Sequence, residues 1–249
     1  MKKFRLPKFK MPQMPKIKLS KKLFLSKKFI ISAVIITALA AGAVIGINTM
    51  KTNTALATAL SNLAEARHYM KHAESSTLRV QFFSGTREEP YSMDGKAGKS
   101  VPFAIVNVDP KNNSLKDFNQ IDGTLRIGAE QMPIVLARNP YDRNFATDIS
   151  RLVDVSMEIV VTLFITSTDH PTLTLVNAMD EDAITWKEAL REAINCLGNK
   201  IQNLKNYEVY IKIVNDTAKE SGAFWYVQFI TTDGKTFFCV IAPDGAHIG

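Results

Sequence analysis

Three sets of residues have types and spacings that chemistry uses, and none of them completes a reaction centre. Glu65, His68 and His72 put a carboxylate and two imidazoles on one short segment. On a helix, His68 and His72 would share a face one turn apart and could hold one metal ion. Such sites take further ligands from a facing helix, and the chain has no second Glu-x-x-His pattern. Arg67 and Lys71 add positive charge, so a solvated helix face is the competing reading. Gly95-Lys96-Ala97-Gly98-Lys99-Ser100 ends like a phosphate-binding loop. That motif needs glycine five positions before Gly98, where Met93 stands, so this is read as a basic loop.

Cys196 and Cys239 are too few for a disulfide framework. They form one bridge if a helix carrying the first packs on a hairpin carrying the second. An inert core thiol at Cys239 fits equally well. Glu88-Glu89 reads as a loop pair and Asp180-Glu181-Asp182 as helix capping. Gly-x-Ser-x-Gly, His-Glu-x-x-His and Cys-x-x-Cys are all missing. The sequence thus names no catalytic residue, no cofactor and no small-molecule substrate, and it reads as non-enzymatic.

The elements that would position these residues begin with an uneven charge. The formal charge is +7, from 31 Lys and Arg against 24 Asp and Glu. Residues 1–28 hold 11 of the cations and no acid, so the other residues carry 20 cations against 24 acids. A basic nucleic-acid-binding domain carries its charge on a folded face, which argues against nucleic acid as a partner. Phe29 to Ile47 contains no charged residue. At about 1.5 Å per residue this run spans roughly 28 Å as a helix, close to the ~30 Å of a hydrocarbon core. It predicts one uncleaved transmembrane helix. The flanking cations predict a cytoplasmic tail at 1–28 and an exported remainder. Lys16, Lys18, Lys21, Lys22, Lys27 and Lys28 would then contact anionic lipid headgroups.

Residues 49–76 predict a stalk helix. Leu56, Leu60, Leu63 and Met70 form a coiled-coil-like seam, interrupted by Arg67. Residues 77–154 predict a β-rich part, with a short helix from about Asp142 to Val153. Residues 155–249 predict ββ-α-βββ. Val155 to Ile165 alternates as a strand does. Asp180 or Asp182 caps a helix whose face includes Trp186, Leu190, Ala193 and Leu197. Asp233-Gly234 joins the last two strands. The expected fold class is therefore α+β: a transmembrane helix, a stalk, and a head of antiparallel sheet with a packed helix.

Residues 225–245, from Trp225 to Gly245, resemble the terminal hairpin of PepSY-type extracytoplasmic modules. The layout as a whole is similar to that of bitopic assembly proteins of pili and secretion machines. These likenesses imply a membrane-anchored structural component of a cell-envelope complex, acting as a homo-oligomer or within a protein complex. A pilin-like subunit, a PepSY-like binding or inhibitory module, and an envelope enzyme with scattered active-site residues are the alternatives.

Overall fold

Strand formation begins earlier than the sequence pattern suggests. The computed structural model describes residues 52–248 except 91, 93 and 216–221. Residues 52–61 are helical, α1, and rest Ala59 and part of Ala55 and Leu56 on the core. The chain then turns into a long strand, β1 (Leu63–Glu74), paired antiparallel with β2 (Leu78–Glu88). β3 (Ser100–Pro110) extends this sheet, and β6 (Phe145–Ile149) pairs with β3. β5 (Glu130–Arg138), β4 (Gln120–Ile127), β7 (Ile159–Phe164) and β8 (Thr172–Asn177) follow in that spatial order. β8 then pairs with β1 through Lys71–Asn177 and His72–Val176. That last pairing closes an eight-stranded barrel.

An eight-stranded barrel is just wide enough to be filled by its own side chains. Here the filling is apolar. Val80, Phe82, Val106, Val108, Phe145, Ile121, Leu125, Leu136, Ile159, Val161 and Leu163 are all essentially inaccessible. Each large apolar side chain taken fully out of water contributes about 1.5–3 kcal/mol before the entropy of ordering it is counted.

β1 has a second neighbour on the edge it offers β8. β9 (Tyr207–Asn215) runs parallel to it, in register with Leu63 to Ala66. β10 (Ala223–Thr231) and β11 (Thr236–Ile241) continue from β9 as an antiparallel wing. Every second residue of β10 is buried, because one face of the wing is covered by α2 (Trp186–Leu197). That helix buries Ala189, Leu190, Ala193, Ile194 and Leu197. One further turn, α3 (Asn199–Gln202), adds Ile201. The opposite face of β9 buries Glu208, which accepts hydrogen bonds from Gly95 N (2.9 Å) and Tyr210 Oη (2.6 Å). The β2–β3 loop is thereby fastened to the wing.

This architecture corrects the expected span, stalk and head. Among the described residues no helix is long and apolar enough to cross a membrane. The stalk is the decisive misreading. Residues 63–74 are strand, hydrogen-bonded to β2 on one edge and to β9 and β8 on the other. With residues 63–74 built into the barrel as a strand rather than into a stalk, several readings lose their basis. They are the single-pass, extracytoplasmic envelope component, its pilin-like and PepSY-like variants, the anionic-lipid partner and the cell-membrane location. Residues 29–47 and Lys16, Lys18, Lys21, Lys22, Lys27 and Lys28 lie outside the described residues. The helix expected from Asp142 to Val153 is also absent. Strand β6 occupies its centre, with Phe145 buried inside the barrel.

Candidate functional site

The fork in β1 creates a deep concavity lined from several elements. β1 contains a register shift between Arg67 and Tyr69, so His68 is an extra residue, as at a β-bulge. Before the shift the strand's edge belongs to β9; after it, the edge belongs to β8. The two neighbours diverge from this point and leave a groove of about 750 Å³ between barrel and wing. The bulge aims His68 at the wing, where its ring stacks on Trp186 with centroids 5.2 Å apart and planes 9° from parallel. Tyr69 returns to the barrel side, opposite Ser84.

Three segments complete the walls. The β8–α2 connection supplies Met179, Ile184 and Thr185. It is held by Trp225 Nε1, which donates to Ile184 O at 3.1 Å. Thr185 caps α2: its hydroxyl accepts from Glu188 N, and the Glu188 carboxylate accepts from Thr185 N at 2.8 Å. This reciprocal cap fixes where Trp186 emerges. The third wall is the loop between β6 and β7, with Leu152, Val153 and Val155. Two polar side chains from the barrel interior anchor that loop. Ser84 Oγ accepts from Val153 N at 3.0 Å, and Lys71 Nζ donates to Met157 O at 2.6 Å.

The electrostatics are those of a partly buried apolar site with a charged rim. Tyr69 is 9% exposed, and its hydroxyl has no hydrogen-bond partner among the described residues. Burial pushes its pKa well up, and the nearby Ser84 hydroxyl opposes this only in part. Burial, aided by Lys187, holds the His68 pKa below the usual histidine value. Burial likewise depresses that of Lys71, with Asp154 and Glu158 opposing. Around the rim stand Asp154, Asp180 and Glu181 against one ammonium, Lys187, which lies over the Trp186 ring at 5.4 Å. These side chains make a surface for an apolar or aromatic group, with one unused hydroxyl to orient it.

The sequence candidates are dispersed by the fold. His68 and His72 are four residues apart on an extended strand, roughly 13 Å along its axis at the usual strand rise, so they cannot share one metal ion. His72 Nδ1 is buried without a partner among the described residues, and Glu65 instead pairs with Arg67 at 2.8 Å. No group of three metal-ligating side chains occurs among the described residues. The seam is divided as well. Leu56 and Leu60 lie on α1, while Leu63 and Met70 lie on β1, with Met70 buried beside the groove. Cys196 on α2 is bonded to Cys239 on β11.

Sequence reasoning missed Tyr69, Ile184, Trp225 and the loop between β6 and β7. The one local signal was Thr185-Trp186-Lys187-Glu188, a capping box that marks the helix start and the tryptophan beside it. A second depression, around Asn119 and Arg138 to Arg143, is polar and open. Its Arg138 guanidinium is already engaged by the Phe118 and Lys116 carbonyls. No family model, no curated protein and no solved structure matches this chain.

Proposed function

We propose that this chain is a binding module, not an enzyme, and that its ligand occupies the groove between barrel and wing. One observation carries the reading. The chain has two tryptophans, and both converge on this groove beside a buried tyrosine hydroxyl that is left without a hydrogen-bond partner among the described residues. Buried polar groups in folded proteins are almost always satisfied, and exceptions point to strain or to a missing partner. The catalytic alternative has less support. His68 is stacked on Trp186, and among the described residues Thr86, at 3.4 Å, is the one nucleophile within hydrogen-bonding reach of it.

The two tryptophans make the groove its own reporter. A neutral apolar fluorophore, N-phenyl-naphthylamine, avoids repulsion from the acidic rim. Titrated into the full chain, it should bind saturably, quenching tryptophan emission in step with its own enhancement. Leu152 is half exposed on the groove wall, so Leu152→Glu should weaken binding about tenfold without unfolding the protein. Binding unaffected by Leu152→Glu, or without saturation, would remove the groove as the site.

A further inference from the structure

The ligand class follows from what the fork does to β9. The last residue of β9 paired with β1 is Ile211, but β9 continues to Asn215, still paired with β10 as far as Asn215–Ala223. Over Lys212 to Asn215, the edge turned away from β10 carries no strand among the described residues. This open edge borders the groove, which Ile213 helps to line. An unpaired strand edge is a template for another extended chain, whose alternate side chains point to the same face. The face here offers Trp225, Trp186 and Ile213. The rim offers Asp154, Asp180 and Glu181 against Lys187.

Resting on the binding-module reading above, we propose that the groove takes an extended peptide segment of a partner protein, with alternating basic and aromatic residues, which adds as a strand to the open edge of β9. Backbone hydrogen bonds to Lys212–Asn215 would supply sequence-independent affinity. The tryptophan-lined floor would select the aromatic side chains, and the acidic rim would select the cations between them. A polyanion is excluded by the same rim.

The test uses an acetylated and amidated (Lys-Phe)₄ peptide, titrated into the full chain by calorimetry and tryptophan fluorescence. The expected result is one-to-one binding that displaces N-phenyl-naphthylamine. Replacing lysines by glutamates in the peptide should weaken binding at least tenfold. N-methylation of alternate backbone amides, which leaves every side chain in place, should do the same on one of the two possible registers. Asp180 and Glu181 are exposed, so the Asp180→Lys, Glu181→Lys double variant should fold and reverse the preference toward the glutamate peptide.

Fluorophore binding without any peptide binding would overturn the peptide proposal while leaving the groove intact; loss of both would overturn both. Peptide binding insensitive to N-methylation in either register would refute strand addition. A concentration-dependent dimer in sedimentation that the peptide does not dissociate would assign the groove to a second copy of the chain, against this proposal.

Discussion

Removing the Tyr69 hydroxyl should strengthen the fold and weaken the site, a combination that a purely structural tyrosine cannot give. The ring is packed in the barrel mouth against Phe82, with centroids 6.4 Å apart, and Tyr69→Phe keeps that packing. The hydroxyl is buried with no hydrogen-bond partner among the described residues. Ser84, opposite it, already serves Val153 N and donates to Phe103 O at 3.4 Å. A buried, unsatisfied polar group costs about 1–3 kcal/mol relative to its hydrated state. Tyr69→Phe should therefore gain on the order of 1 kcal/mol. In a folded unit of this size each kcal/mol moves Tm by about 2–4 °C. Differential scanning calorimetry should thus show a rise of a few degrees. Groove affinity should fall for a ligand carrying a hydrogen-bonding group and stay unchanged for an aromatic hydrocarbon such as naphthalene. A lower Tm for Tyr69→Phe would refute the reasoning, because it would mean that the hydroxyl is bonded, with Ser84 as the nearest candidate.

Three further outcomes test the framework that holds the groove. Gly85 of β2 faces β1 so closely that a Cβ would lie 2.0 Å from Ala66 O; Gly85→Ala should cost about 3 kcal/mol in urea denaturation, at the upper end for overpacking. Gly128 has φ 58° but open space around it, so Gly128→Ala should cost only about 1–2 kcal/mol; equal losses would contradict the close approach of β1 and β2. The Cys196–Cys239 bridge closes a loop across 43 positions, which in the chain-entropy account is worth about 4 kcal/mol. Reduction, or Cys196→Ser at the exposed end, should lower the urea midpoint accordingly, and an unchanged midpoint would refute the link between α2 and β11. Burial depresses the folded-state pKa values of both His68 and His72. As pH falls below about 6.5 the unfolded chain takes up protons that the folded chain resists. The histidine contribution is therefore intact above that pH and lost on acidification toward 5. His68→Gln and His72→Gln should each flatten the decline, and a wild-type midpoint constant from pH 7.5 to 5 would exclude it.

Legibility in the sequence tracked how locally each element is determined. The Asp233-Gly234 turn lies between β10 and β11, with Gly234 at φ 79°, where a side chain is disfavoured. The alternation of Tyr207, Val209, Ile211 and Ile213 is the α2-facing side of β9, while Glu208 and Tyr210 are buried from the other side. α2 exists, but its cap is Thr185 rather than Asp180 or Asp182. β1 was illegible for a physical reason. Ala64, Ala66, Met70, Lys71 and Ala73 are good helix formers by intrinsic preference. The strand is imposed by partners far away in sequence, which satisfy both of its edges. Gly85 belongs to the same non-local pairing: it is the point where β2 must approach β1. The groove was hidden because its walls come from five separated segments, and no spacing rule connects Tyr69 with Val153, Trp186, Ile213 and Trp225.

The misread strand and the candidate site are one feature. A strand can hydrogen-bond to only one neighbour at a time along a given edge, and β1 divides that edge between β9 and β8. A change of neighbour needs a break in the ladder, and the register shift at Arg67–Tyr69 provides it. The same break frees the second half of β9 from β1. It also turns His68 toward Trp186 and Tyr69 toward the barrel mouth. A groove with apolar walls, an unsatisfied hydroxyl and an open strand edge therefore follows from one extra residue in one strand. Deleting His68 should restore a continuous ladder, draw β9 along β1 and close the groove. The deletion variant would then fold with neither fluorophore nor peptide binding. If it bound either ligand normally, the bulge would not be the origin of the site.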